Sequence, residues 1–249
     1  MVPLVAAPPA EPRQRWRLTF ARDPMAADLV GRATLDAWQE TLVGCGLPVA
    51  GLERGGAGRG RIAFAAPLPA AARGEAELAD VWLLERCPAW AVREALAERL
   101  PAGHRWVRSE DVWLGAPSLA GRVVAADWRI EVTGTDVAKS RLEDAARRLL
   151  GVRSLPRVRL KGSTEKRYDL RPLLADIAIG GPATGAADSA PDAMTIVWIR
   201  TRFDPGLGAG RPDEVVAALG EVAGADLLIR GIVRERLLLV DEVASPMNR

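Results

Sequence analysis

Cysteine and histidine are scarce in this sequence, with two cysteines and one histidine among 249 residues. Cys45 and Cys87 are far apart, so they cannot supply the closely spaced thiolates of an iron–sulfur cluster or a structural zinc ion. A disulfide framework is equally disfavoured, and we expect both cysteines to act as small buried apolar residues. The sequence therefore predicts no metal and no cofactor.

His104 is the one histidine, so a Ser-His-Asp or Cys-His site would have to use it. No nucleophile elbow is present, and no pair of carboxylates stands out as a general acid and base. His104 follows a Pro-Ala-Gly turn at the start of a predicted strand, where we expect a surface or structural role. These features favour a non-catalytic protein, while the sequence leaves enzymatic activity open.

Long apolar runs are also absent. No segment approaches the ~20 apolar residues that a membrane-spanning helix needs. Residues 1–13 lack the basic and apolar regions of a signal peptide, and we interpret them as a disordered lead-in. The expected product is a soluble, cytoplasmic protein with no membrane partner.

The chain does contain a regular succession of strand-like and helix-like patterns. Over residues 15–22 apolar and polar side chains alternate, which is typical of a half-buried strand. Its inner face would be Trp16, Leu18 and Phe20, and its polar outer face Arg15, Arg17 and Thr19. Further strands are predicted over residues 61–65, 77–85, 105–114, 127–132, 173–179, 194–202 and 232–240. Helices are predicted over residues 27–43, 88–100, 136–150 (with Thr135 or Asp136 as N-cap) and 212–222, with another helical turn at 225–228.

The order of these elements is β-α-β-β-α-β in each half of the chain. This order predicts an α+β fold of two ferredoxin-like halves with antiparallel sheets. The first half would span residues 14–116 and the second 120–240, with a basic β-hairpin inserted in the second. Residues 180–193 would be a flexible loop and 241–249 a tail.

Positive charge is concentrated in residues 153–172. This segment has seven basic and two acidic residues, a net charge of +5, whereas the whole chain carries +2. Two short strands around Gly162 and Ser163 would form the hairpin, with a loop longer than the tight types. The alternative is a solvated hairpin without a binding role.

The predicted nucleic-acid-binding residues are the basic residues of this segment. Alternation on a strand would project three of them to one face, with two more across the turn, and arginine forks suit phosphate oxygens. The set is Arg153, Arg157, Arg159, Lys161, Lys166, Arg167 and Arg171. Tyr168 is a further candidate for stacking. Asp169 should stay ionised beside the cations, and Arg171 has the alternative of pairing with it or capping the hairpin.

Several short stretches, in this order, resemble the radical SAM-linked family of bacterial proteins of unknown function. They are RWRLTFAR at 15–22, GLPV at 46–49, RIAFAAPLP at 61–69, GEAELADVWL at 74–83, APSL at 116–119, DWRIEV at 127–132, DLRPL at 169–173 and IVRERLLL at 232–239. The family typically also has a Ser-His-Leu-Asp run in the first helix and a Gly-Phe-Asn-Pro-His-Pro run before the second strand. This chain has neither, which leaves open whether a family activity has been lost.

The resemblance implies an accessory to a radical SAM enzyme, since its members are commonly encoded beside or fused to such a protein. The chain's two distant cysteines mean that it is not itself one. Our leading hypothesis is a non-catalytic module that binds RNA or presents a substrate for a radical SAM partner. The alternatives are a protein–protein adaptor without RNA contact, or a divergent member that has lost its activity.

Overall fold

A computed structural model describes residues 10–25, 30–52, 58–134, 137–161, 164–180, 194–242 and 246–247. In this part of the chain there are five α-helices and eleven β-strands, and the strand pairing is mostly antiparallel. The predicted α+β class is therefore confirmed. The chain divides into two compact units, Met1–Arg122 and Val123–Arg249.

The first unit follows the order β-α-β-β-α-β and ends in a short helix. Its elements are β1 Gln14–Arg22, α1 Arg32–Gly44, β2 Ile62–Phe64, β3 Arg73–Leu83, α2 Ala89–Ala97, β4 His104–Val112 and α3 Leu119–Arg122. The strands lie in the order β2-β3-β1-β4, and each is antiparallel to its neighbour. This order makes β1 an inner strand, hydrogen-bonded on both sides.

The core of the first unit lies between this sheet and helices α1 and α2. The alternating apolar residues of β1 and β3 point to the same face, where the buried residues of both helices meet them. The cluster contains Trp16, Leu18, Phe20, Trp38, Leu42, Cys45, Val49, Ala79, Val81, Leu83, Val92 and Leu96. Burial of Cys45 agrees with its expected role, whereas Cys87 is only partly buried.

The other face of β1 differs from the prediction. Arg15, Arg17 and Thr19 were expected on a polar outer face, but each is at most 4% exposed. Both guanidinium groups bind the carboxylate of Asp80 on β3, which is fully buried. The polar phase of β1 therefore faces a buried ion cluster and not water.

The second unit repeats the plan with a hairpin inserted. Its elements are β5 Val123–Gly134, α4 Lys139–Gly151, β6 Pro156–Lys161, β7 Thr164–Asp169, β8 Leu174–Ile179, β9 Thr195–Asp204, β10 Gly208–Ala209, α5 Pro212–Ala223 and β11 Leu227–Leu239. Strands β8, β9, β5 and β11 lie in that order and are antiparallel, and β10 also pairs with β9. Strands β6 and β7 form a separate two-stranded sheet.

Several helix boundaries differ from the sequence-based ones, among them the end of α2, which lies at Ala97 and not at residue 100. Helix α1 begins at Arg32 and α4 at Lys139, later than expected. The predicted N-caps Thr135 and Asp136 lie outside the described residues. The predicted helical turn at 225–228 is wrong, because β11 already begins at Leu227 and pairs with β5. The loop predicted over residues 180–193 lies, except for Gly180, outside the described residues.

None of the helices in the described part of the chain is long and apolar enough to span a membrane.

Candidate functional site

The basic hairpin is present and is more regular than expected. Strands β6 and β7 pair residue by residue from Pro156 opposite Asp169 to Lys161 opposite Thr164. Only two residues connect the strands, so the connection is shorter than predicted. Opposite positions share a face of an antiparallel pair, and alternate positions along a strand share a face. Arg159 and its partner Lys166 therefore occupy the same face, and Arg167 the other.

The base of the hairpin is held by Asp169. Its Oδ1 accepts hydrogen bonds from the backbone N–H of Leu155, at 2.7 Å, and of Arg171, at 2.9 Å. These bonds, the one from Leu155 above all, lower the pKa of Asp169. The carboxylate is thus ionised at neutral pH, as expected, but backbone amides contribute more to this than the neighbouring cations do.

Arg171 has a structural position. Its guanidinium group donates to the backbone carbonyls of Leu150 at 2.6 Å, Leu174 at 2.8 Å and Val152 at 3.2 Å. Helix α4 ends at Gly151, so Arg171 satisfies carbonyls at the helix C-terminus that would otherwise lack partners. Arg171 was expected either to pair with Asp169 or to cap the hairpin, but its guanidinium group lies at the C-terminus of α4 and only its backbone N–H contacts Asp169.

Arg157 is also engaged within the protein. Its Nη1 lies 2.8 and 3.0 Å from the two carboxylate oxygens of Glu221 on α5. The Arg157 side chain is 17% exposed and that of Glu221 is 63% exposed. This pair joins the hairpin to α5, and a ligand phosphate would have to compete with Glu221 for the guanidinium group.

Two of the predicted cations are exposed in the structure, Arg153 just before the hairpin and Arg167 on β7. Tyr168 is partly buried, opposite Arg157. Arg159, Lys161 and Lys166 are placed by the backbone register, and their side chains lie outside the description. Among the basic residues of the segment whose side chains the structure describes, Arg153 and Arg167 are therefore the two that are exposed to solvent.

Sequence reasoning missed a group of ionisable residues at one end of the first unit's sheet. Arg22 on β1 lies directly opposite His104 on β4, and Glu77 on β3 lies opposite Phe20. All three ionisable side chains are buried, so of the two roles expected for His104, surface or structural, the structure excludes the surface position. A signal was present: Arg22 falls on the same alternating phase as Trp16, Leu18 and Phe20, the phase that faces the core.

Two buried carboxylates were missed as well. Asp80 binds Arg15 and Arg17, and on β5 Asp127 binds Arg200 and Arg236 from the two flanking strands. Both aspartates are fully buried and fully paired, which is the arrangement of structural ion clusters. Among the residues that the structure describes, no three His, Cys, Asp or Glu side chains gather as ligands for a metal ion.

Comparison with protein families identifies the lineage. The model of the family DUF2344, described as an uncharacterized protein conserved in bacteria, matches residues 52–200, more than half of the chain. The chain belongs to this family. The expected relationship to a bacterial family of unknown function is therefore confirmed, and the matched region includes both the hairpin and His104. No curated protein sequence matches the chain.

Solved structures give distant similarities. A crystal structure of a Cbf5-Nop10-Gar1 complex has 8% identity and a TM-score of 0.49, over 89% of this chain and 48% of that one. The archaeal box H/ACA sRNP Nop10-Cbf5 complex has 8% identity and a TM-score of 0.44, over 89% and 47%. An unknown protein from Galdieria sulphuraria has 16% identity and a TM-score of 0.24, over 87% and 96%. The chain spans about half the length of the first two.

Proposed function

We propose that this DUF2344 protein is a non-catalytic accessory module that binds RNA through its basic hairpin, for a radical SAM enzyme as partner. The observation that carries the proposal is an anchored two-stranded hairpin with exposed arginines. Asp169, Arg171 and the Arg157–Glu221 pair fix its base and side, and Arg153 and Arg167 remain exposed. The radical SAM partner is inferred from the family resemblance of the sequence.

The chemistry of the exposed cations suits a nucleic-acid backbone. A guanidinium group donates paired hydrogen bonds to phosphate oxygens and stays charged throughout the physiological pH range. Contacts of this kind give affinity with little base selectivity, as a module that holds RNA for a separate enzyme requires. We also infer that both units are ferredoxin-like halves, because each has the β-α-β-β-α-β order with its first strand between its third and fourth.

The test is RNA binding by the double variant Arg153→Gln/Arg167→Gln, measured by filter binding over a range of salt concentrations. Each lost phosphate contact on single-stranded RNA should reduce the slope of log K against log salt by ~0.7. The double variant should therefore bind more weakly and show a slope shallower by about 1.4. A further variant with Arg159, Lys161 and Lys166 also changed to Gln should lose more.

A matched control removes the same charge elsewhere. Arg32 and Arg147 have side chains that are 89% and 77% exposed, each in a surface pair with an aspartate. Arg32→Gln/Arg147→Gln should leave the salt slope unchanged. Equal losses in the two double variants would indicate only net-charge binding. Unchanged binding in the hairpin variants would refute the proposal and favour the adaptor, for which a nuclease-resistant complex with the partner enzyme is the measurement.

A further inference from the structure

A cavity lies at one end of the first unit's sheet, away from the hairpin in sequence. Its volume is about 550 Å³, within the range of about 300–1,000 Å³ that is typical of small-molecule sites. The strand ends form part of its wall, and residues at the beginning of α1 form another part. Most of the lining is apolar and includes Phe20, Val30, Leu35, Phe64, Ala65 and Leu68.

Arg22 and Glu77 also line this cavity. Both side chains are at most 5% exposed, and their formal charges are opposite. Two hydrogen bonds hold the Arg22 guanidinium group: its Nη2 donates to the carbonyl oxygens of Pro69 at 2.8 Å and Leu68 at 3.5 Å. Because the two charges balance, the cavity offers no net charge to attract an ionic ligand.

Two further polar residues, Thr34 and His104, also line the cavity. His104 is 8% exposed, and its Nδ1 lies 3.1 Å from the carbonyl oxygen of Ala102. A carbonyl oxygen can only accept a hydrogen bond, so Nδ1 carries the proton. Burial lowers the pKa of His104, and the charge of Arg22 acts in the same direction, although the bond to Ala102 opposes them. The ring is therefore neutral near pH 7, with an unprotonated Nε2.

Nε2 is buried and has no hydrogen-bond partner among the residues that the structure describes. Buried acceptors of this kind are normally satisfied by a protein group, a water molecule or a ligand. The imidazole is held in position by aromatic neighbours, with ring centroids 5.5 Å away in Phe20 and 5.7 Å away in Trp38. His104 thus adds an oriented acceptor without a described partner to a mostly apolar lining that also includes Arg22, Glu77 and Thr34.

We propose that this cavity binds an uncharged small molecule with a mainly aromatic surface, which donates one N–H or O–H hydrogen bond to Nε2 of His104. The phenylalanine rings and aliphatic side chains of the lining suit a flat apolar ligand, since aromatic pairs gain from edge and offset contacts. The balanced charges of Arg22 and Glu77 disfavour an ion.

The test uses indole and 1-methylindole, which differ in the one N–H donor. Indole should bind saturably, and 1-methylindole about tenfold more weakly because it cannot make the hydrogen bond. Since the chain has a single histidine, its ¹⁵Nε2 resonance reports the site without assignment. Indole should shift this resonance towards the hydrogen-bonded position, and 1-methylindole should not.

Two variants locate the binding. His104→Phe keeps an aromatic ring without the acceptor, so the two probes should bind with equal affinity. Leu35→Trp fills the cavity from α1 and should abolish binding of both probes while the protein remains folded by circular dichroism. The proposal is overturned if indole does not bind saturably to the wild-type protein or if both probes bind it equally. It is also overturned if the Nε2 resonance does not respond or if Leu35→Trp retains binding.

Discussion

Asp80 shows how much a single residue contributes to the first unit. Its carboxylate is fully buried and binds Arg15 at 2.5 Å and Arg17 at 2.9 Å. Replacing it with Asn leaves two buried guanidinium groups without a counter-charge, which typically costs about 3–5 kcal/mol. We expect Asp80→Asn to lower the free energy of unfolding by this amount in urea denaturation.

Asp36 provides the comparison for Asp80. It also pairs with two arginines, Arg32 and Arg59, but its side chain is 49% exposed. Exposed pairs contribute about 0–1 kcal/mol, so Asp36→Asn should change stability little. Similar losses in the two variants would contradict the view that burial determines the importance of the Asp80 cluster.

His104 should make stability depend on pH. Its pKa is lowered in the folded state, chiefly by burial, whereas in the unfolded chain it is about 6.5. The unfolded state therefore binds more protons below this value, and stability present above about pH 6.5 is lost as the pH falls towards the folded-state pKa. The measurement is the urea midpoint between pH 7.5 and pH 5, compared with His104→Phe, whose curve should be flatter in this range. Parallel curves would contradict the prediction.

Most of these residue-scale interactions could not be predicted from the sequence. Alternation identified the two phases of β1 correctly, but not that both are buried. Arg17 and Asp80 are 63 positions apart in the chain, and only the strand register brings them opposite each other. The same holds for Arg22. Alternation shows that it shares the core-facing side of β1, but not that it lies opposite His104. Local patterns predict which face of a strand a residue occupies, whereas its contact partners are set by long-range strand pairing.

At the scale of elements, the hairpin depends on the acceptor Oδ1 of Asp169. Asp169→Ala removes both hydrogen bonds to the Leu155 and Arg171 amides, with an expected local cost of about 1–2 kcal/mol. Hydrogen exchange of these two amides should accelerate accordingly, measured by NMR. Asp169→Asn keeps a side-chain oxygen and should retain much of the protection. Equal exchange in the wild-type protein and in Asp169→Ala would show that this carboxylate does not hold the hairpin.

The order of elements could be read from the sequence, and the exceptions arise where long-range contacts determine the structure. Helix α4 was predicted over residues 136–150, and its residues Leu142, Ala145, Ala146 and Leu149 are buried. The start of β11 was misassigned because Ala225 and its neighbours have no alternating pattern of their own, and pairing with β5 extends the strand. Similarly, Arg157 was predicted as a free cation, since nothing in the sequence relates it to Glu221, 64 residues later.

At the scale of the whole molecule, the two units share one arrangement of buried charged residues. In each, an inner part of the sheet holds a fully buried aspartate between two arginines, Asp80 in one and Asp127 in the other. One carboxylate offsets only one of the two guanidinium charges, so each cluster keeps a formal charge of +1. Arg15 and Arg17 are buried, so the charge of their cluster does not lie at the surface. The exposed positive charge is therefore smaller than the arginine content suggests, whereas residues 153–172 carry a net charge of +5.

This distribution makes it possible to distinguish RNA binding by the hairpin from RNA attraction by the net charge of the whole chain. Above the isoelectric point, about 8.8, the net charge of the chain is no longer positive, yet the guanidinium group of arginine keeps its proton. If the hairpin binds the RNA backbone, retention of RNA at about pH 9.3 should stay close to that at pH 7.5 at equal ionic strength. The control variant Arg32→Gln/Arg147→Gln should behave like the wild-type protein at both pH values. Loss of retention on crossing the isoelectric point would mean that net charge, and not the hairpin, attracts the RNA.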